Sequence, residues 1–381
     1  MMFLCVTVLS YAQSGKVNNA LSFYNSGKLD EAKKTIDEAI THEKCVDDPK
    51  SHFVRGQIYQ AIFESLIPDY RRLSDNALAI AYEEYQKVIA LDVKNKFGKK
   101  LIGQYDNLVI DYTNKAVEAY NGDKYKQAFL DFEKVLTIEN SSILKRKVAD
   151  TTIIYNAAIA AQKADTLEAA EKYFKQSLQL GYEPARCYAM LANILKTQGK
   201  TQESVGYLHK GYELFPNDAF MLVELINYYL SGGEPEKAEE YLDAAIALDP
   251  NNGSFYRAKG SLYEKMGKID LSIEMNEKAI SLDPKDFAAQ YNLGAMKLNK
   301  VIELHNKVND IMDAAEYNKQ LQDVYAEYEA VIPYFEKALE LNPGEKNTMQ
   351  TLRELYFKLR NVKPDPFLGK YEAMKAELDK P

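Results

Sequence analysis

The chain has 381 residues, 46 % of them apolar and 27 % charged, with 12 prolines, 18 glycines and a net charge of -8. That balance describes a folded, helix-rich chain and excludes a disordered or low-complexity one. The negative charge opposes binding to phosphate backbones and anionic lipid, so no nucleic-acid partner is expected.

The first residues, MMFLCVTVLSYAQ, join a short apolar run to Ser10-Tyr11-Ala12. They read as a signal peptide over residues 1–12, cut after Ala12; no basic residue precedes the apolar run, as a start upstream of Met1 would explain. Export to a bacterial periplasm is the expectation; without cleavage of this leader the protein would be cytoplasmic. The run is too short to span a bilayer, and no later run is long enough for an integral membrane segment. Once the leader is removed, Cys45 and Cys187 remain, 142 positions apart, and are expected as free thiols. The scattered histidines offer no metal-ligand spacing.

Residues 13–150 carry small residues at helical spacing: Ala20, Gly27, Ala32 and Ala39; Gly56 and Tyr59 with Ala81 and Tyr85; Ala116, Ala128 and Phe132. Between Gly56 and Ala81 lie 13 residues more than the spacing of the other units, read as an inserted hairpin. The basic run Lys94, Lys96, Lys99 and Lys100 is read as a solvated helix face.

From residue 151 to 365 the pattern becomes regular. Pro216, Pro250 and Pro284 are 34 residues apart, as are Gly199, Gly233 and Gly267, and Ala170, Ser204, Ala238 and Ser272. A further series runs Ala158, Ala192, Ile226, Gly260, Gly294 at the same step. Independent series sharing one period mark an internal repeat. Inside a unit the apolar spacing is 3, 4 and 7, as in Tyr256, Gly260 and Tyr263, so each unit is a helix, a glycine turn, a second helix and a proline stop. Small residues where the helices cross, Gly260 against Ser272 and Ala279, allow close approach of the axes. Gly294 and Val331 are 37 residues apart, an insertion of 25 over the repeat spacing, and the stretch 298–329 has no proline or glycine; it predicts that both helices of that hairpin are lengthened and joined near Asn309-Asp310. A solvated spacer and a partner or homo-oligomer contact are both open for it. Another hairpin begins near Asn347, and residues 366–381 form a C-terminal capping helix.

Tyr188, Leu191, Ala192, Gly199, Ser204, Leu208 and Pro216 resemble the tetratricopeptide repeat family, as do Leu225, Tyr229, Ala238, Leu242, Ala245 and Pro250, with Tyr256, Gly260, Tyr263, Ser272, Ala279 and Pro284 following. Leu293 and Gly294 with Phe335, Ala338 and Pro343 continue the resemblance, and Ala158, Ala170 and Phe174 precede it. The chain departs from that family in having no tryptophan. The resemblance implies an all-α, right-handed superhelical solenoid of antiparallel helix hairpins, about eight to nine repeats, two of them lengthened.

Catalysis has no visible apparatus: no phosphate-binding loop, HExxH, nucleophile elbow or CxxC occurs, and no cofactor is expected. The resemblance implies instead a scaffold that binds a protein or peptide in the groove lined by the first helices. Groove positions counted from the small residue give Tyr155, Ile159, Arg186, Asn193, Lys196, Phe220, Val223, Asn227, Leu230, Arg257, Glu264 and Tyr291. Aromatic anchors with amide and guanidinium donors suit an extended peptide, although Tyr155, Phe220 and Tyr291 could equally pack between repeats. The residues that clamp a terminal carboxylate in related co-chaperones are mostly missing: Ala258 and Ala288 stand at two of those places. A glycan-capturing envelope protein is the alternative.

Overall fold

The computed structural model describes residues 15–146 and 150–379; the leader reading at residues 1–12 lies outside them. The described residues are helical, in chain order α1 (15–25), α2 (Leu29–Ile40), α3 (Glu43–Val46), α4 (Pro49–Glu64), α5 (Pro68–Arg71), α6 (Ala77–Leu91), α7 (Gly98–Asn121), α8 (Tyr125–Glu139), α9 (Thr151–Lys163) and α10 (Leu167–Gln179). They continue as α11 (Pro184–Thr197), α12 (Thr201–Leu214), α13 (Ala219–Gly232), α14 (Pro235–Leu248), α15 (Gly253–Lys265), α16 (Ile269–Leu282), α17 (Phe287–Asn309), α18 (Ala314–Leu341), α19 (Lys346–Leu359) and α20 (Pro364–Leu378). No described helix is long and apolar enough to cross a membrane. Two compact units, Met1–Val205 and Gly206–Pro381, divide within α12.

In the first unit α4 packs on α6, α7 on α8 and α9 on α10, and the hairpins stack through α8 on α9 and α10 on α11. In the second, α13 packs on α14, α15 on α16, α17 on α18 and α19 on α20, with α14 on α15, α16 on α17 and α18 on α19 joining the hairpins. The architecture is an all-α hairpin solenoid. The periodic small and apolar residues are what the packing buries: Ala20, Ala32, Ala116, Ala128, Ala158, Ala170, Ala238 and Ala279 are fully excluded from solvent. Cys45 and Cys187 are free thiols, both buried.

Local chemistry punctuates several hairpins the same way. Asp48, Asp150, Asp218 and Asp286 cap the first helices α4, α9, α13 and α17, each accepting backbone N–H groups of the first turn that have no helical partner. The second helices α12, α14, α16 and α18 stop two residues before Pro216, Pro250, Pro284 and Pro343, where the ring forbids the preceding residue from staying helical. The tightest crossing is at Gly260: a Cβ there would collide with the Asn276 carboxamide nitrogen and stand 3.3 Å from the Ser272 carbonyl. The Ser272 hydroxyl donates to the Gly260 carbonyl (2.6 Å), and Ser204 repeats the bond to Ala192 (2.7 Å).

The long hairpin is formed as expected from residues 298–329: α17 and α18 extend and join through Asp310–Asp313. Its extra length is not a bare spacer. Val301, Val308, Val324 and Tyr328 are buried in one cluster with Leu352, Tyr356, Leu359 and Phe367. The insertion between Gly56 and Ala81 is different and corrects the reading of an inserted or lengthened hairpin. Its residues make a loop holding the single helical turn α5, because Pro68 interrupts any continuation of α4, and Leu66 and Ile67 stand 97 % and 54 % exposed. A second difference is α7: 24 residues long, it starts well before the repeat's first-helix position and carries part of the lysine run read as a plain solvated face.

Candidate functional site

The first helices of adjacent hairpins in the first unit, α7 and α9, enclose a pocket of about 220 Å³ lined by Val117, Tyr120, Phe132, Asn156 and Ile159. Helical spacing places Val117 and Tyr120 on one face of α7, and Asn156 and Ile159 on one face of α9. Val117 is 42 % exposed although apolar. The opening is therefore apolar with one amide at its edge, which suits one aliphatic or aromatic side chain held beside a backbone hydrogen bond. Ile159 was expected on the groove; Val117, Tyr120 and Asn156 were not. Their signal was Ala116, whose neighbours one and four places on necessarily flank the buried seam.

The other expected groove residues fall into three groups. Asn193 and Lys196 on α11, and Asn227 on α13, are exposed, as is Arg186, whose guanidinium lies 3.6 Å from the Glu183 carboxylate. Phe220 and Val223 are half-buried on the first turns of α13. Tyr155, Tyr291 and Arg257 are committed within the fold. The Tyr155 ring meets Phe174 and Tyr182 edge-on, with centroids 5.8 and 5.5 Å away, and burial pushes its phenol above the usual tyrosine range. Tyr291 packs on Phe287 and Phe335 at 6.1 and 5.7 Å. Arg257 donates from Nε to Asp286 Oδ2 at 2.7 Å.

The first unit also holds a polar core that residue spacing did not disclose. Glu84 and His52 are 1 % and 3 % exposed, and His52 uses both ring nitrogens, Nδ1 to Glu84 Oε2 (2.5 Å) and Nε2 to the Val46 carbonyl (2.7 Å). Arg55 donates to Glu84 (2.7 Å) and Asp37 (2.9 Å), and the Tyr59 hydroxyl donates to Asp37. Burial works against the Glu84 carboxylate, but hydrogen bonds from His52 and Lys87 and the charge of Arg55 prevail and lower it to about 2. Burial likewise works against the imidazolium, yet the bonds to Glu84 and the Val46 carbonyl raise His52. With both nitrogens facing acceptors, the imidazolium is favoured over the neutral ring and ties α4 to Glu84 of α6 and to the Val46 carbonyl of α3. Among the described residues no cluster of His, Cys, Asp or Glu could hold a metal ion.

A family model described as tetratricopeptide repeat matches residues 189–253 and 223–287. No curated protein matches the chain. Similar solved structures include YrrB, described as a TPR protein with an unusual peptide-binding site, 21 % identical over 51 % of this chain and 96 % of that one, with a TM-score of 0.37. A MamA fragment from Desulfovibrio magneticus RS-1 is 19 % identical over 51 % and 96 %, with a TM-score of 0.39. A thermophilic TPR protein of Thermus thermophilus is 22 % identical over 50 % and 99 %, with a TM-score of 0.36. With the period, the small-residue crossings and the hairpin stacking in place, the match makes residues 189–287 tetratricopeptide repeats.

Proposed function

We propose that the protein is a binding scaffold that holds an extended segment of another protein against its first-helix faces, and that it works in the cell envelope after export. The observation that carries the first part is the apolar pocket between α7 and α9, with Val117 exposed at its wall and Asn156 beside it. An apolar cavity between two rigid helices, next to an amide, takes a side chain and steadies the peptide backbone. Asn193 and Lys196 extend the polar lining on α11, within the same unit. The second part is supported by the leader-like residues 1–12.

Crosslinking of the tagged protein in its own cells, followed by mass spectrometry, tests the reading. A defined protein recovered with the wild type and lost with Ile159→Arg, at unchanged helical signal, is the expected result. Equal recovery with both would refute binding at this pocket. Fractionation of the same cells tests the envelope assignment: the protein is expected in the periplasmic fraction, and recovery in the cytoplasm alone would reject it.

A further inference from the structure

The turn between α6 and α7 concentrates positive charge in an acidic chain: Lys94, Lys96, Lys99 and Lys100 fall within seven residues, against a net charge of -8. All four are exposed, as expected of a solvated face, but they also line two cavities. Lys99 and Lys100 line a cavity of about 610 Å³ together with Lys50, Phe53, Gln57 and Phe97. An adjoining cavity of about 450 Å³ shares Lys50 and Phe97 and adds Lys94 and Lys96. All of this lies in the first unit, between α4 and the early turns of α7 that precede its repeat position.

No ion pair engages these lysines among the described residues. Elsewhere in this unit Lys16, Lys33 and Lys115 sit on carboxylates of Glu38, Asp37 and Asp131. No such ion pair is made by Lys94, Lys96, Lys99 or Lys100 among the described residues, and Lys50 Nζ donates only to the neutral Asn18 carboxamide, at 2.7 Å. The two acidic residues of the smaller cavity already serve the backbone: Asp48 accepts from the Lys50 and Ser51 N–H groups, and Asp92 Oδ2 accepts from the Phe97 N–H at 2.6 Å. The turn is held in shape by Asn95, in the left-handed region at φ 51°, whose N–H donates to the Asp92 carbonyl.

The floor is aromatic. Phe53, 5 % exposed, and Phe97 stand with ring centroids 5.0 Å apart, and the Lys100 ammonium lies 6.0 and 5.9 Å from the two rings. An ammonium above a ring pair presents its charge toward the opening while its stem covers apolar surface. Gln57 and Gln104 add carboxamides to the wall, the Oε1 of Gln104 already accepting from Tyr85.

We propose that this cavity docks an acidic protein segment, with carboxylates paired to Lys50, Lys99 and Lys100 and an apolar side chain seated on Phe53 and Phe97. Five lysines against Asp48 and Asp92 leave an excess of positive charge in an otherwise negative molecule, complementary to such a segment and able to speed its encounter. A polyphosphate chain fits less well: its charge extends over many repeats and meets the acidic remainder of the molecule, whereas a short peptide covers only the patch. The site is separate from the pocket between α7 and α9 and does not depend on it.

The test uses the purified full chain and a fluorescein-labelled peptide of four glutamates flanking a central leucine and phenylalanine, followed by anisotropy. Binding is expected in the micromolar range, weakened about tenfold or more by Lys99→Glu with Lys100→Glu and by raising salt from ~50 to ~500 mM. Ile159→Arg is expected to leave it unchanged. Both lysines are exposed, so the double variant should keep its helical signal and melting temperature. No binding up to about 1 mM peptide, equal binding by the charge-reversed variant, or loss in Ile159→Arg alone would overturn the proposal. A single-stranded oligonucleotide of equal charge binding as tightly would overturn the peptide as occupant.

Discussion

Arg257 of α15 and Asp286, the residue that caps α17, share a 2.7 Å ion pair between Nε and Oδ2. The same Asp286 carboxylate accepts the Ala289 N–H at 3.0 Å, so one acidic side chain starts a helix and ties it to the preceding hairpin. Repeat spacing put Arg257 on the groove as a ligand donor; its guanidinium instead joins two repeats. Asp286→Ala removes the cap and the ion pair and is expected to cost ~1–2 kcal/mol. Arg257→Ala removes the half-exposed pair alone and should cost less, ~0.5 kcal/mol after solvent screening. Chemical denaturation of both variants and of the double variant measures the coupling; strictly additive effects would separate the two residues.

The His52–Glu84 pair makes the first unit pH-sensitive in two directions. Glu84 is lowered from its ordinary 4.5 to about 2, so its stabilisation is present above pH 4.5 and is lost as pH falls toward 2. His52 is raised, so its stabilisation is complete below pH 6.5 and is lost as pH rises through the elevated value. The first unit is therefore expected to be most stable between about pH 4.5 and 6.5 as far as these two groups decide it. His52→Ala leaves the buried carboxylate with fewer donors and should cost ~3 kcal/mol, with the alkaline decline abolished. Thermal melts across pH 3 to 9 check both statements, and an unchanged alkaline slope in the variant would contradict them.

Gly260 has no room for a methyl group. Gly260→Ala would press on Asn276, which is fully buried and whose Nδ2 donates to the Ser272 carbonyl. The expected cost is ~1–3 kcal/mol. Asn276→Ala makes the space, so the double variant should recover part of the loss relative to the sum of the single ones. Comparison of denaturation midpoints decides; additive losses would move the clash elsewhere.

The short turns of the regular hairpins place one residue in the left-handed region, and Gly27, Gly199, Gly233 and Gly267 supply it with φ near 72–76°. At the same repeat place the chain uses Asp123 and Asp165, with φ 58° and 57°. Aspartate tolerates this region better than most side-chain-bearing residues but at a cost glycine avoids. Asp165→Gly relieves ~1 kcal/mol or more of left-handed strain against ~0.4–1 kcal/mol of added unfolded-chain entropy, so a small net stabilisation of the first unit is expected, read by calorimetry. Destabilisation would mean that the Asp165 side chain contributes more than the backbone strain costs.

These turn residues also mark how far the fold was legible in the sequence. Where glycine, small residue and proline recur at 34, the hairpins could be placed to within a residue or two, because each marker has one geometric duty. Asp123 and Asp165 carry the same duty under a different letter, which blurs the repeats before residue 190. The insertion after Gly56 could be counted but not shaped: Pro68 stops a helix without dictating the next element. The early start of α7 was hidden because Gly98-Lys-Lys favours no single structure on its own. The candidate site was legible as a set of helix faces, not as contacts. Spacing assigned Tyr155, Tyr291 and Arg257 to a groove, whereas their partners Tyr182, Phe335 and Asp286 lie on neighbouring elements that spacing cannot bring together. Likewise, nothing in the separation of His52 and Glu84 announces a buried pair.

The central claim, that protein segments are held on the first-helix face at the α7–α9 pocket, is tested most directly by site-specific photocrosslinking in cells. A photoreactive amino acid is placed at Val117, on the pocket wall, or at Leu130 of α8, 48 % exposed and outside the pocket lining. The account predicts a discrete protein adduct from position 117 that is absent from position 130 and is suppressed by Ile159→Arg. Adducts that are equal from both positions, or present only from position 130, would contradict it.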